Sequence, residues 1–305
     1  MTSAPMPESA TTALPALKSF GTLFREAWEF YKMHLGKIVA ILGIPLLATV
    51  GAVLVIALFI PNADPKLLEN ITTSLSAFVM AIATLALLFF IATPSLSGTD
   101  AFGKATSGLL SYAIIGILEV CIILGALFFF MLPGIYLAML FTFSHFVFVA
   151  EGKRGWEALR TSARYVKGDA WHAFGLTFAF ALVTLVLYLV IALPLGYILV
   201  SMGGEAAADF INTLVQTLLI NPLSILFSYR LYVNLREYKN ARNAPEPFEN
   251  RTVVGVAIAG YIIAAVLAFM FGPAVLKNFD IDAALNRTPG STIEETAVPE
   301  GESGI

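Results

Sequence analysis

"LLSYAIIGILEVCIILGALFFFMLPGIYLAMLFTFSHFVFVA", Leu109 to Ala150, carries one acid, Glu119, one histidine, His145, and no Lys or Arg. As one helix it would reach about 63 Å at 1.5 Å per residue, roughly twice the ~30 Å hydrocarbon core of a bilayer. Pro133-Gly134 near its middle supplies a breaker, so the run reads as a hairpin of two membrane spans.

Working outward, Ile38–Ile60 and Leu75–Ser97 are apolar runs long enough to cross before it. Ala173–Val200, Phe210–Val233 and Thr252–Leu276 follow it. The composition agrees: 58% of residues are hydrophobic, 13% are charged, and the mean hydropathy is +0.82. A soluble domain carries roughly 25% charged residues. The expected fold is therefore all-α: a polytopic transmembrane helical bundle with a six-span core and a seventh, C-terminal span. Residues 1–16 and the acidic tail 277–305 read as disordered, with the six-span domain over 17–240 and a linker plus the seventh span over 241–276. The N-terminus does not read as a cleavable signal peptide, because the first long apolar run starts near Ile38 behind an acid-containing segment.

A net charge of −3 argues against a nucleic-acid partner. The single cysteine, Cys121, excludes a disulfide framework, and His34, His145 and His172 form no short-spaced pair. The Lys and Arg residues are unevenly placed. With the N-terminus in the cytoplasm, all but Lys66, Lys277 and Arg287 of the 18 fall in inside segments, which sets the orientation and leaves the tail outside.

Two of those inside segments read as interfacial helices. In "AEGKRGWEALRTSARYVKGDAWHAFG" (150–175), Trp156, Leu159, Ala163 and Val166 share one face of a helix over about 155–167. Arg160, Arg164 and Lys167 occupy another face. Gly168 is a natural stop, and Trp171 takes the belt position at the start of the fifth span. Such a helix lies in the headgroup plane, where anionic lipid attracts each nearby Lys or Arg by about 1 kcal/mol. Arg160, Arg164, Lys167, Trp156 and Trp171 are thus the candidate contacts to anionic lipid on the cytoplasmic side. The second segment, "SFGTLFREAWEFYKMHLGK" (19–37), puts Phe20, Leu23, Phe24, Ala27 and Tyr31 on one side of a helix over 19–36. Offset by about 135 residues the two align loosely, either as an internal repeat or as a chance likeness between interfacial helices.

The later stretch carries a pattern: Glu151-Gly152, Glu157-Ala158-Leu159, Ser162, Val166-Lys167-Gly168, Trp171 and Phe174-Gly175. It resembles a large, mostly uncharacterised set of bacterial and archaeal membrane proteins, related to the membrane domain ahead of some glycerophosphodiester phosphodiesterases. The resemblance covers roughly Phe20 to Tyr238. It implies a six-span helical domain in the cytoplasmic membrane, usually without an assigned activity. The phosphodiesterase barrel has no counterpart here, so its catalytic residues have no positions onto which they can be carried. The seventh span and acidic tail are further departures.

Glu119 is the sharpest single feature. A carboxyl near mid-membrane costs a few kcal/mol on insertion scales, so it faces a bundle interior as a polar contact or marks an ion or proton path. The sixth span adds a stripe of Thr213, Thr217, Asn221, Ser224 and Ser228, with Asn212 and Gln216 as an i, i+4 pair. Asn221-Pro222 is expected to interrupt that helix and free backbone carbonyls, a device found in transporter substrate sites; ordinary interhelical hydrogen bonding is the plainer account. His145 has no second His, Cys or acid in sequence register, which disfavours a metal site. Gly255 and Ala259 offer small-residue packing. Asn70-Ile71-Thr72 matches a glycosylation sequon, relevant only in a glycosylating secretory pathway.

No catalytic, cofactor-binding or metal motif is read, so a lipid-modifying enzyme is the weakest expectation. The first expectation is a non-catalytic scaffold or accessory protein that binds lipid or a partner membrane protein. The alternative is a small-solute or lipid transporter using Glu119, Asn212, Gln216 and Asn221.

Overall fold

A computed structural model describes residues 15–59, 64–201, 204–242 and 250–278. Every regular element among them is helical, and seven helices are long and apolar enough to cross a membrane. The helices are α1 (Phe20–Phe59), α2 (Pro65–Ala92), α3 (Gly98–Phe129), α4 (Met131–Phe141), α5 (Ser144–Glu151) and α6 (Gly155–Val166). They continue as α7 (Ala170–Leu187), α8 (Leu193–Ser201), α9 (Glu205–Val215), α10 (Asn221–Ala241) and α11 (Asn250–Asn278).

α1 contains both the amphipathic segment and the first span. They are separated by a kink at His34 (φ −115°, ψ 16°), close to the expected end at residue 36. α2 starts at Pro65, ten residues before the apolar run. Asp64 caps it through a bond from the Lys66 N–H, and proline suits the first helical turn. Ser97 caps α3 by accepting the Asp100 N–H.

The hairpin turn of the long apolar run falls at Phe130, in extended backbone, and not at Pro133-Gly134. Pro133 instead sits in the first turn of α4, where its missing N–H goes unneeded. Gly134 packs against Leu127 of α3 with no room for a Cβ. The long apolar run is broken a second time, inside the fourth span at Thr142–Phe143 between α4 and α5, and no proline or glycine marks that break in the sequence.

Two π-helical turns share one cause. Tyr188–Ala192 joins α7 to α8 just before Pro194, and Gln216–Ile220 joins α9 to α10 just before Pro222. A proline removes the i−4 hydrogen bond and crowds that carbonyl, and widening the preceding turn relieves both. Asn221-Pro222 therefore bulges the sixth span without splitting it.

Packing is uneven along the bundle. The fully buried side chains concentrate in the second half of α2, in α5 and α6, and on one side of α10. Leu85, Phe90, Val147, Leu159, Phe227 and Leu231 are examples. By contrast, α1 from Ile44 to Phe59, all of α8 and the later part of α11 expose most of their large apolar side chains.

The apolar faces of the two amphipathic helices are covered by protein and are not left open to lipid. Leu159, Ala163 and Val166 of α6 are buried within the protein, as are Leu23, Ala27 and Tyr31 of α1. Phe20 packs on Phe227 of α10 with ring centroids 5.4 Å apart. A helical stripe needs an apolar cover, and here α10 and the broken fourth span provide it. Pro15 and Ala16, inside the stretch expected to be disordered, are also held. Asn234 donates to the Ala16 carbonyl and accepts the Lys18 N–H, and Arg242 donates to the Pro15 carbonyl. Residues 1–14 and 279–305, where disorder is also expected, lie outside the described residues.

Candidate functional site

Glu119 lies two-thirds of the way along α3 and faces α5. The break at Thr142–Phe143 swings Ser144 and His145 towards it. The break needs satisfied backbone groups, and buried Ser162 of α6 supplies them: its hydroxyl accepts the Phe143 N–H at 3.1 Å and donates to the Leu140 carbonyl at 2.8 Å. α6 thus acts as a wedge that shapes the fourth span.

Buried Ser144 donates its hydroxyl to Glu119 Oε2 at 2.8 Å, and His145 Nδ1 lies 3.7 Å from the same oxygen. The His145 ring packs against Tyr112, centroids 4.4 Å apart, and lies beside Gly116. A groove of about 430 Å³ opens beside this cluster, lined by Tyr112, Gly116, Val120, Cys121 and His145 and almost wholly apolar. The expectation that His145 lacks an acidic neighbour is therefore corrected: the neighbour comes from another helix, not from sequence register. Chemically, the cluster is a carboxyl, an imidazole and a hydroxyl at the edge of an apolar groove, able to exchange a proton or to hydrogen-bond a ligand head. It offers two ligating groups, and no group of three or more His, Cys, Asp or Glu suited to a metal occurs among the described residues.

The sixth-span residues do not join it. Asn221, Gln216 and Thr213 are exposed, and Thr217 is buried. Asn212 is half-buried, with its side-chain oxygen unpartnered among the described residues. Thr213 and Ser224 return their hydroxyls to the Asp209 and Ile220 carbonyls of their own helix. The carbonyl that Pro222 would leave bare, Leu218, accepts the Tyr31 hydroxyl at 2.7 Å. The freed backbone is used internally.

The residues around α6 form a second polar centre. Glu151 Oε1 accepts two phenols, from Tyr232 at 2.7 Å and Tyr165 at 2.9 Å, with Lys153 at 3.5 Å from the other oxygen. Arg164 donates to the Tyr165 hydroxyl. Burial, then the hydrogen bond to Glu151, pushes the Tyr165 phenol up from its ordinary range. At the far end of α6, buried Lys239 ion-pairs with Asp169 at 2.5 Å and donates to the Lys167 carbonyl at 2.7 Å. Gly152 (φ 73°) and Gly168 (φ 87°) take the left-handed conformations that terminate α5 and turn the chain after α6.

Much of the quoted pattern, including Glu151-Gly152, Ala158-Leu159, Ser162 and Gly168, thus has an internal task. Among the candidate lipid contacts, Trp171 is 70% exposed and packs edge-on against Phe174, and Lys167 is exposed. Arg160, Arg164 and Trp156 are half-buried.

The seventh span packs along α3 through Gly125, Ala257 and Gly260, where a Cβ on either glycine would meet backbone atoms. Tyr261 caps the contact by donating to the Cys121 carbonyl at 2.8 Å. Gly255, expected to pack, has open space around it. Set against protein families, curated proteins and solved structures, the chain matches none of them.

Proposed function

We propose that the chain is a non-catalytic scaffold or accessory protein of the cytoplasmic membrane, binding lipid or a partner membrane protein. Its N-terminus would be cytoplasmic and its tail outside, as the distribution of Lys and Arg favours. The observation that carries the reading is the division of the surface. Polar groups near α6 are spent on internal bonds, while α1, α7, α8 and α11 turn long apolar faces outward. The resemblance to the phosphodiesterase-associated membrane domain is compatible with the same assignment, since members of that set usually carry no assigned activity.

The test is a photo-reactive side chain at Leu182, on the exposed face of α7, in native membranes. Cross-links to phospholipid or to one discrete membrane protein support the reading. Solute flux by the purified chain in proteoliposomes, lost in Glu119→Gln, would overturn it.

One observation favours a second reading, a carrier for a small solute or lipid: Glu119, Ser144 and His145 meet at the edge of an apolar groove. Intramembrane carboxyls paired in this way line ion and proton paths in transporters. The same flux measurement separates the two.

A further inference from the structure

Where α1 runs beside α10 before its kink, a pocket of about 390 Å³ is lined by Lys18, Glu26, Glu29, Phe30, Met33 and Arg230. Glu26, Glu29, Phe30 and Met33 come from successive turns of one helix, and Arg230 reaches in from the other. The lining has two cations and two anions. Lys18 and Glu26 neutralise each other at 2.6 Å.

Arg230 and Glu29 remain. Neither makes an ion pair among the described residues. The guanidinium lies over the Phe30 ring, 5.3 Å from its centroid, and its Nε is buried without a hydrogen-bond partner there. The enclosed Nε is not open to a ligand, so what the pocket offers is the rest of the guanidinium, a charge with no ionic partner among the described residues. The pocket's α1 residues precede the kink at His34, ahead of the uncharged run expected to start at Ile38, a placement that suits a lipid headgroup. Met33 is 76% exposed at its mouth, an apolar contact suited to a glycerol backbone or the start of an acyl chain.

We propose that this pocket binds a zwitterionic phospholipid whose headgroup carries a phosphate and a primary amine, the phosphate on Arg230 and the ammonium on Glu29. A ligand with both charges connects two groups that the protein leaves apart. An anionic headgroup would satisfy Arg230 but bring a negative charge to Glu29. A quaternary amine lacks the N–H that Glu29 would accept. The proposal rests on the lipid-binding reading above and names a headgroup for it.

The experiment is native mass spectrometry of the full chain in detergent holding equal dioleoyl-phosphatidylethanolamine and dioleoyl-phosphatidylglycerol. Wild type is expected to retain the ethanolamine lipid about tenfold more, the factor expected for one charge-assisted bond. Glu29→Gln should move the preference towards phosphatidylglycerol, and Arg230→Gln should abolish retention of both, with unfolding temperatures showing that each variant folds. Equal retention of the two lipids by wild type, or folded variants that keep the wild-type pattern, would overturn the proposal. Soluble phosphoethanolamine serves as a competitor. Displacement of the lipid supports headgroup recognition, whereas binding of the soluble compound without any lipid retention overturns the lipid assignment. Cross-linking at Leu182 reads the broader scaffold proposal separately, because that residue is on α7.

Discussion

Tyr31 donates its hydroxyl to the carbonyl of Leu218, the residue four places before Pro222, across 2.7 Å. Proline cannot give that carbonyl its helical donor, and a phenol from the first helix takes the role. The bond ties the amphipathic half of α1 to the bulged turn of the sixth span.

Tyr31→Phe is expected to lower stability by about 1 kcal/mol, the usual scale for one such bond in a membrane protein. In a Pro222→Ala background residue 222 regains an N–H, so the same change should cost less. Thermal unfolding of the four proteins in detergent measures the coupling. Strictly additive losses would show that Pro222 and Tyr31 act independently.

Ser162→Ala removes the hydroxyl that serves both backbone ends of the break between α4 and α5. It leaves a buried N–H and a carbonyl without that partner, at about 1–3 kcal/mol. The unfolding temperature should fall by more than it does for Thr142→Ala, whose exposed hydroxyl bonds only to the Ala138 carbonyl of its own helix. A Ser162→Ala protein as stable as wild type would remove the wedge role of α6.

Alkaline pH should loosen α6. The Tyr165 phenol is pushed above 10 in the folded protein, by burial first and then by Glu151. A raised phenol stabilises the fold fully below the unfolded value, and that stability is lost as pH rises past about 10 towards the folded value. Unfolding temperatures measured across this window should drop in wild type and drop less in Tyr165→Phe. Equal slopes would count against it.

Gly260→Val should separate α11 from α3, because a side chain there would meet the Gly125 backbone. Gly255→Val, with open space, should be tolerated. Overpacking costs about 1–3 kcal/mol. A spin-label pair reporting the distance between α3 and α11 should lengthen only in the first variant; lengthening in both would place the contact elsewhere.

The spans, the bounds of α6 and the extent of the first amphipathic segment were legible because apolar length and period alone specify them. Glu119 was legible as a costly residue, but its partner His145 was not. The two meet because the fourth span breaks at Thr142–Phe143, and that break is held by a serine on a later helix. Periodicity reported that α6 and the start of α1 have apolar faces. It could not report what covers them, since lipid and protein satisfy the same stripe. Gly255 and Gly260 look alike in the sequence, and only Gly125 on α3 distinguishes them.

The concentration of buried side chains around α6 has a mechanical consequence. One end of the bundle is fixed by interlocked residues, while α8 and α1 from Ile44 to Phe59 leave most of their large apolar side chains exposed. In a bilayer those lengths would act as levers on a rigid hub, with acyl chains filling the space between them. Bilayer thickness and chain length would then set how far the levers spread, making the shape of this protein a property it shares with its solvent.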